Sequence, residues 1–189
     1  MRAYYDQRAA EYDETSWLAH GVETEEATQL GTALAALPPA KILDVAIGTG
    51  YISRYLRGDV VGLDASAGML QQARRRLPNA NFMLSDALKI PFADQSFDRV
   101  FTAHFYGHLE PSERTGFLDE AFRVAPELVI VDSLAESPWE GWQERPLVDG
   151  GEVRIWKRYF GEQELAGEVG GEVFFAGSTF VGVRSIRTG

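Results

Sequence analysis

The stretch Lys41-Ile-Leu-Asp44-Val-Ala-Ile-Gly48-Thr-Gly50 joins a short apolar run to a glycine loop. An apolar run of this length predicts a buried strand. Glycines at its end allow the backbone to approach a ligand with no Cβ in between. Two further runs, 60–64 and 82–86, also end in an aspartate. In a parallel sheet, these three acids would lie along one rim, where the strands end.

This rim is the expected binding site, because ligands of open parallel sheets bind outside the carboxyl ends of the strands. Carboxylates accept hydrogen bonds from hydroxyls and amines, and they repel phosphate. The expected ligand is therefore nucleoside-like and carries an ammonium or sulfonium rather than a pyrophosphate. Each acid also has a structural alternative, as a helix N-cap or turn former after a strand. The glycine loop and the order of the motifs favour ligand binding for the set.

The order of patterns along the chain indicates an α/β fold. Residues 40–133 alternate apolar runs, near 41–46, 59–64, 80–85, 97–103 and 127–132, with helix-period segments. This alternation is typical of parallel strands joined by crossover helices. Ser66 is the expected N-cap of one such helix, and Pro111 is the expected start of another. Before the first strand, the stretches from Tyr4 to Tyr12 and from Thr24 to Leu37 are helical in pattern.

The pattern changes after residue 133. The stretch 147–160 contains a turn signal between two extended, aromatic-rich arms, and a short helix is predicted near 161–168. Residues 172–186 predict a closing antiparallel hairpin. The expected fold is a three-layer α/β sandwich with a mostly parallel seven-stranded sheet and an antiparallel last strand. We expect a single domain over 1–189, with an N-terminal helical cap (1–39), a cofactor-binding core (40–133) and a substrate-side segment with the hairpin (134–189).

Composition limits the possible partners. The 189 residues, 45% of them apolar, are enough for one core, and a formal charge of −10 opposes nucleic-acid binding. The chain has no cysteine and three histidines, so no metal site is expected. No apolar stretch long enough for a membrane span or a signal peptide is present, which favours a cytoplasmic location. The sequence gives no expectation for the oligomeric state.

Together these features resemble the class I S-adenosylmethionine-dependent methyltransferases over nearly the whole chain. The first motif of that family is similar to Ile42-Leu-Asp-Val-Ala-Ile-Gly-Thr-Gly50, and its second to Val61-Gly-Leu-Asp-Ala-Ser-Ala-Gly-Met-Leu70. Residues 85–98 resemble its third region, and residues 5–13 resemble the helix that covers the cofactor. The resemblance implies a Rossmann-like fold and methyl transfer from S-adenosyl-L-methionine to a small-molecule acceptor.

The resemblance also implies roles for individual residues. The glycines would pass close to the methionyl part of the cofactor, Asp44 would lie near its ammonium, Asp64 would hold the ribose hydroxyls, and Asp86 would accept from the adenine amino group. The family usually carries glycine where this chain has Ala46. Core packing is the alternative for Met69. The expected cofactor-binding residues are Tyr12, Asp44, Ala46, Gly48, Gly50, Asp64, Ala65, Met69, Asp86, Ala87 and Ala103.

Other functions compete with this interpretation. The fingerprint of nicotinamide-binding dehydrogenases needs a third glycine where this chain has Ser53, so a reductase is disfavoured. Methyl transfer is an in-line displacement that needs no enzyme nucleophile, although an acceptor may need a base. His104, after the fourth predicted strand, is the candidate, with packing as its alternative. A protein that binds the cofactor or its demethylated product without turnover, as a sensor or partner subunit, is the second hypothesis.

The aromatic residues of the substrate-side segment have two possible roles. They could grip a flat or apolar acceptor, or they could seal the late strands against the sheet. An open channel from the reacting methyl to this segment would favour catalysis, and a filled channel would favour binding alone. The residues concerned are Trp139, Trp142, Trp156, Tyr159 and Phe160.

Overall fold

A seven-stranded sheet forms the centre of the protein, whose computed structural model describes residues 2–18, 25–147 and 150–187. The strands of the described part are β1 (Ala40–Val45), β2 (Gly58–Asp64), β3 (Asn81–Leu84), β4 (Arg99–Ala103), β5 (Glu127–Ser133), β6 (Trp139–Pro146), β7 (Glu152–Tyr159), β8 (Glu172–Ala176) and β9 (Phe180–Ile186). The order across the sheet is β3-β2-β1-β4-β5-β9-β8. Strands β1 to β5 pair in parallel, whereas β9 runs antiparallel to β5 and β8. The predicted mostly parallel sheet with its closing hairpin is confirmed.

Helices cover both faces of the sheet, because both faces of its strands carry apolar side chains. The helices are α1 (Arg2–Arg8), α2 (Glu25–Ala36), α3 (Ala67–Arg76), α4 (Pro111–Val124) and α5 (Glu162–Val169). Leu30 and Leu34 of α2 pack with Ile42 on one face. Phe117 of α4 and Leu165 of α5 pack in a second cluster on the other. No helix in the described part of the chain is long and apolar enough to cross a membrane.

Two helices begin where the sequence predicts, directly after strand ends or loops at the binding rim. The Ser66 hydroxyl accepts a hydrogen bond from the Met69 amide at 3.1 Å, which satisfies one free N–H of the first turn of α3. Pro111 is the first residue of α4. There the Glu113 carboxylate accepts from the Glu110 amide at 2.8 Å. These caps fix where the loops between strand and helix turn.

The N-terminal helix ends earlier than the predicted stretch from Tyr4 to Tyr12. Helix α1 ends at Arg8, and a π-helical segment, Asp13–Leu18, follows a short turn. The Asp6 carboxylate accepts from the Ser66 hydroxyl and from the Gly68 amide, which fastens α1 to the start of α3. The turn redirects the chain so that Asp13 forms an ion pair with Arg76 at 2.6 Å. The N-terminal segment therefore lies over the carboxyl ends of the strands.

Strands β6 and β7 form a separate two-stranded hairpin. β7 lies within the stretch 147–160 that the sequence predicts as extended, whereas β6 lies before it. The centre of its predicted turn, residues 148–149, lies outside the described residues. Ion pairs attach the hairpin to the helices: Arg114 of α4 lies 2.6 Å from Glu140, and Arg158 of β7 lies 2.6 Å from Glu164. Arg158 also pairs with Glu168 of α5 at 2.6 Å. These contacts hold the hairpin beside the binding rim.

Candidate functional site

A cavity of about 640 Å³ opens at the carboxyl ends of the parallel strands. Four acids, Asp44, Asp64, Asp86 and Glu113, are among the described residues that line it, and no lysine or arginine is. We call it the acidic cavity. The sequence-predicted residues that line it are Tyr12, Asp44, Ala46, Gly48, Asp64, Ala65, Met69, Asp86, Ala87, Ala103 and His104.

Gly50 is the predicted residue that does not line the acidic cavity. Its φ is +73°, in the left-handed region that glycine adopts without strain. A Cβ at Gly50 would lie 3.0 Å from the Cδ1 atom of Leu77, at the end of α3. The structure therefore gives Gly50 a packing role, which lets α3 lie close to the loop.

The loop after β1 turns sharply beneath the acidic cavity. Ala46 and Gly48 both have left-handed backbone angles, with φ of +58° and +57°. Glycine adopts this conformation freely, whereas the Cβ of alanine makes it strained. Glycine, which the family usually carries at position 46, would adopt this backbone conformation without strain. Ala46 and Gly48 carry little or no side chain, so the backbone borders the cavity at these positions, while the side chain of Ile47 also lines it.

Asp44 is the most unusual acid of the cavity. It is buried at 1% exposure, and its Oδ2 atom has no hydrogen-bond partner in the described part of the chain. Burial raises the pKa of Asp44 to about 8, and the charge of Asp64 adds to this, against a hydrogen bond from Ser53. A buried carboxylate with an unused oxygen fits a cationic amine, because an ammonium would supply both charge and donors. The site thus fits the ligand class that the sequence predicts.

The other two strand-end acids combine a structural role with cavity lining. Asp64 accepts from the amides of Gly48 and Ser66, each at 2.8 Å, and so braces the glycine loop. Its pKa is raised by burial despite these bonds. Asp86 is exposed and accepts from the Leu88 amide at 2.9 Å. Both acids form the turn contacts that the structural alternative predicts, and each oxygen keeps a lone pair for a ligand.

A second cavity, of about 570 Å³, adjoins the first and has the opposite charge. Among the described residues that line it, Arg8, Arg145 and Lys157 are cationic, and Glu11 alone is acidic. We call it the basic cavity. The residues that line both cavities are Tyr5, Tyr12, His104 and His108. The substrate-side segment predicted from the sequence contributes Arg145, Ile155, Lys157 and Tyr159 to this cavity, but its positive charge was not predicted.

The hairpin supplies the basic cavity through strand alternation. In β7, Ile155 and Lys157 point to the same face, and Arg145 of β6 joins that face because it pairs with Val153. Lys157 is buried and donates to Asp132 at 3.0 Å. A lysine on the apolar face of a strand is a sequence signal that could have indicated this site.

His104 lies at the junction of the two cavities, directly after β4. Its φ of +55° is left-handed, and its Nδ1 atom lies 3.5 Å from the Ser133 hydroxyl. Burial lowers the pKa of His104 to about 3, with the charge of Lys157 contributing and that of Asp132 opposing. The imidazole is therefore uncharged at neutral pH. Catalysis by His104 stays a prediction.

His108 faces the same junction and has a defined tautomer. Its Nδ1 atom lies 2.8 Å from the Trp156 carbonyl oxygen. A carbonyl can only accept, so Nδ1 carries the proton and Nε2 keeps its lone pair. Burial lowers the pKa of His108 to about 4, and Lys157 contributes. The Tyr5 ring packs edge-on to this imidazole, with 6.5 Å between centroids.

The five aromatic residues predicted for the substrate-side segment lie in different surroundings. Trp139 and Trp142 are 44% and 47% exposed, and Phe160 is buried in the main core. Of the five rings proposed from the sequence, Tyr159 is the one that lines either of these two cavities. Phe160 thus has the sealing role that was the alternative to gripping an acceptor.

Comparison with known proteins identifies the family. Residues 42–127 match a family model described as a methyltransferase domain. Demethylmenaquinone methyltransferase of Thermotoga maritima is 34% identical over 139 residues, which cover 69% of this chain and 60% of that protein. The demethylmenaquinone methyltransferase of Renibacterium salmoninarum is 38% identical over 128 residues, 66% of this chain and 53% of that protein. The chain thus matches little more than half the length of these curated relatives.

Solved structures match over nearly the entire chain. A complex of DhpI with SAH has a TM-score of 0.81 and 28% identity, covering 98% of this chain and 94% of that one. A complex of DhpI with SAM and HEP has a TM-score of 0.77 and 27% identity, covering 96% and 94%. The chain belongs to the class I S-adenosylmethionine-dependent methyltransferases. The fold, the glycine loop and the strand-end acids agree with this assignment.

Proposed function

We propose that the protein binds S-adenosyl-L-methionine in the acidic cavity and transfers its methyl group to a small-molecule acceptor. The unpartnered Oδ2 atom of buried Asp44 carries this proposal, because it lacks the cationic donor that the cofactor amine would supply. Gly48 and Ala46 would border the methionyl part, Asp64 the ribose and Asp86 the adenine. The DhpI complexes with SAH and SAM support this choice of cofactor.

The adjoining basic cavity favours turnover over binding alone. The bound cofactor would supply a sulfonium methyl with a good leaving group. The protein then has to position an acceptor in line and exclude water. A cavity beside the cofactor site, sharing Tyr5, Tyr12 and two histidines with it, provides space for such an acceptor. For an acceptor that must lose a proton, His104 is the candidate base predicted from the sequence, and His108 is a second.

Calorimetric titration with S-adenosylmethionine, S-adenosylhomocysteine and NADH tests the cofactor proposal. We expect binding of the first two and none of NADH. Binding of NADH alone would overturn the proposal. An acceptor screen by mass spectrometry then separates turnover from silent binding. It should include a demethylmenaquinone, since the curated relatives carry that name. Cofactor binding with no methylated product from any acceptor class would favour the sensor hypothesis.

A further inference from the structure

The charge of the basic cavity limits what it can hold. Arg145 forms no ion pair in the described part of the chain, and its guanidinium donates to the neutral Gln143 side chain at 2.7 Å. Arg8 contributes a second guanidinium and donates to the Tyr4 hydroxyl. Lys157 is paired with the buried Asp132 at 3.0 Å, so the positive charge of the cavity rests chiefly on the guanidinium of Arg145, and in a chain of net charge −10 that charge needs a reason. A bound anion would provide one, because a guanidinium binds carboxylate and phosphonate oxygens in a bidentate geometry.

The two histidines at the junction of the cavities also favour an acceptor that is already ionised. Both imidazoles are uncharged at neutral pH, because burial lowers their pKa values to about 3 and about 4. Such groups are weak bases for a hydroxyl, since a general base works best with a pKa near the operating pH. An acceptor whose oxygen is already ionised needs no base. The junction therefore provides no effective base for an acceptor that has to lose a proton.

We propose that the basic cavity binds a small oxyanion, of the carboxylate or phosphonate class, as the methyl acceptor. The inference rests on the proposed function, since the acidic cavity must hold the methyl donor. An oxyanion with two or more oxygens can keep one on Arg145 while another faces the junction.

The methyl-transfer step balances without a proton. The ionised acceptor oxygen uses a lone pair to form the new O–CH3 bond. The carbon–sulfur bond breaks and its electron pair stays on sulfur, which leaves a neutral thioether and a methyl ester. No residue of the protein has to accept or donate a proton in this step.

Direct anion binding tests the proposal. Methylphosphonate and acetate are titrated calorimetrically at matched ionic strength, with the neutral ester dimethyl methylphosphonate as the reference probe. Each titration is run with and without S-adenosylhomocysteine, so that a failure of cofactor binding leaves the anion result readable. We expect at least one of the two anions to bind and the neutral ester not to bind. Equal binding of ester and anion, or no binding of either anion, would overturn the proposal.

Variants on one hairpin provide the matched comparison. Arg145→Gln should weaken anion binding about tenfold or more, while Arg145→Lys should retain part of it. Arg154→Gln is the control, because Arg154 is exposed on the same hairpin and lines neither cavity. Thermal melting of each variant verifies folding. Equal losses from the two glutamine variants would contradict a specific role for Arg145.

The histidines distinguish an oxyanion from an alcohol acceptor. With S-adenosylmethionine and whichever of the two anions binds, the product should be its methyl ester. His104→Gln and His108→Gln should each lower kcat by less than about tenfold, because no proton is removed, whereas loss of a true base costs about 100-fold or more. With acetate as the acceptor and S-adenosylmethionine saturating, kcat should also stay flat from pH 6 to 8, because acetate does not titrate in this range. A large loss in kcat, or methylation of a quinone-type acceptor in preference to both anions, would contradict the proposal that the acceptor is an oxyanion.

Discussion

The two cavities share a wall but differ in charge and construction. The acidic cavity is lined by four carboxylates and lies within one stretch of strands and loops, residues 44–113, together with the N-terminal segment. The basic cavity is assembled from distant pieces, with Arg8 from α1, Arg145 and Lys157 from the hairpin, and His104 after β4. The net charge of the chain agrees in sign with the acidic cavity but not with the basic cavity. A protein of formal charge −10 can therefore offer a cationic pocket to a small partner while repelling a polyanion.

The largest expected effect is at Asp44, where the acidic cavity holds its unpartnered oxygen. Asp44→Asn should weaken binding of S-adenosylhomocysteine by about 2 kcal/mol, because a charged hydrogen bond to the ammonium is lost. Calorimetry measures the affinity. Asp59→Asn is the control, since Asp59 is exposed at the opposite end of β2, and it should change the affinity little. Equal effects of the two variants would contradict a specific contact between Asp44 and the cofactor amine.

Proton release upon cofactor binding tests the charge state of the acidic cavity. In the free protein, the pKa of Asp44 is raised to about 8, so the carboxyl is mostly protonated at pH 7. A cationic amine stabilises the ionised form and lowers this pKa, so binding should release up to about one proton at pH 7. Titrations in phosphate and Tris, which differ in ionisation enthalpy, measure the release. It should vanish above about pH 9 and in Asp44→Asn, and proton uptake would contradict the assignment.

Glu11 offers a smaller test on the basic side, where it is the acid among three cations. Glu11→Gln should raise methylphosphonate affinity by roughly 0.5 kcal/mol, because it removes one negative charge from a partly exposed site. Glu14→Gln is the matched control, since Glu14 is exposed and lines neither cavity. A lower anion affinity in Glu11→Gln would contradict the expectation that the charge of the basic cavity determines its affinity for anions.

Ala46 offers the smallest test, on the backbone beneath the acidic cavity. Ala46→Gly should stabilise the protein by up to about 1 kcal/mol, because glycine adopts a φ of +58° without strain. Ala35→Gly, within helix α2, should have the opposite sign and destabilise by a similar amount. Chemical denaturation compares the free energies of unfolding. Destabilisation by Ala46→Gly would show that the loop conformation carries no strain.

The two cavities were not equally predictable from the sequence. The acidic cavity depends on local signals, since Asp44, Asp64 and Asp86 each follow a strand in a regular alternation. The sheet and Ser66 as an N-cap were predictable for the same reason. The basic cavity depends on the docking angle of the hairpin, which ion pairs such as Arg114 with Glu140 set between distant segments. Periodicity contains no information on such an angle, so Arg145 was not singled out.

The roles of individual residues were also only partly predictable from the sequence. Gly50 belongs to the recognised motif, yet its missing Cβ faces Leu77, because α3 packs against the loop there. Spacing alone cannot separate a glycine that borders a ligand from one that borders a helix. His104 was predicted as the candidate base from its position after the fourth strand. The bond from His108 to the Trp156 carbonyl, which defines its free nitrogen, depends on the hairpin.

Helix α1 bounds both cavities, and this has a kinetic consequence. Tyr5 lines both sites, Arg8 lines the basic one, and Asp6 fastens the helix to Ser66. Any opening of α1 that lets the cofactor exchange also removes one wall of the acceptor pocket. We therefore expect an ordered cycle, in which the methyl donor enters first and the methylated product leaves before the spent cofactor. Turnover would then be limited by the rate at which a short helix detaches. High salt should increase this rate by weakening the Asp13–Arg76 pair, which holds the segment that follows the helix.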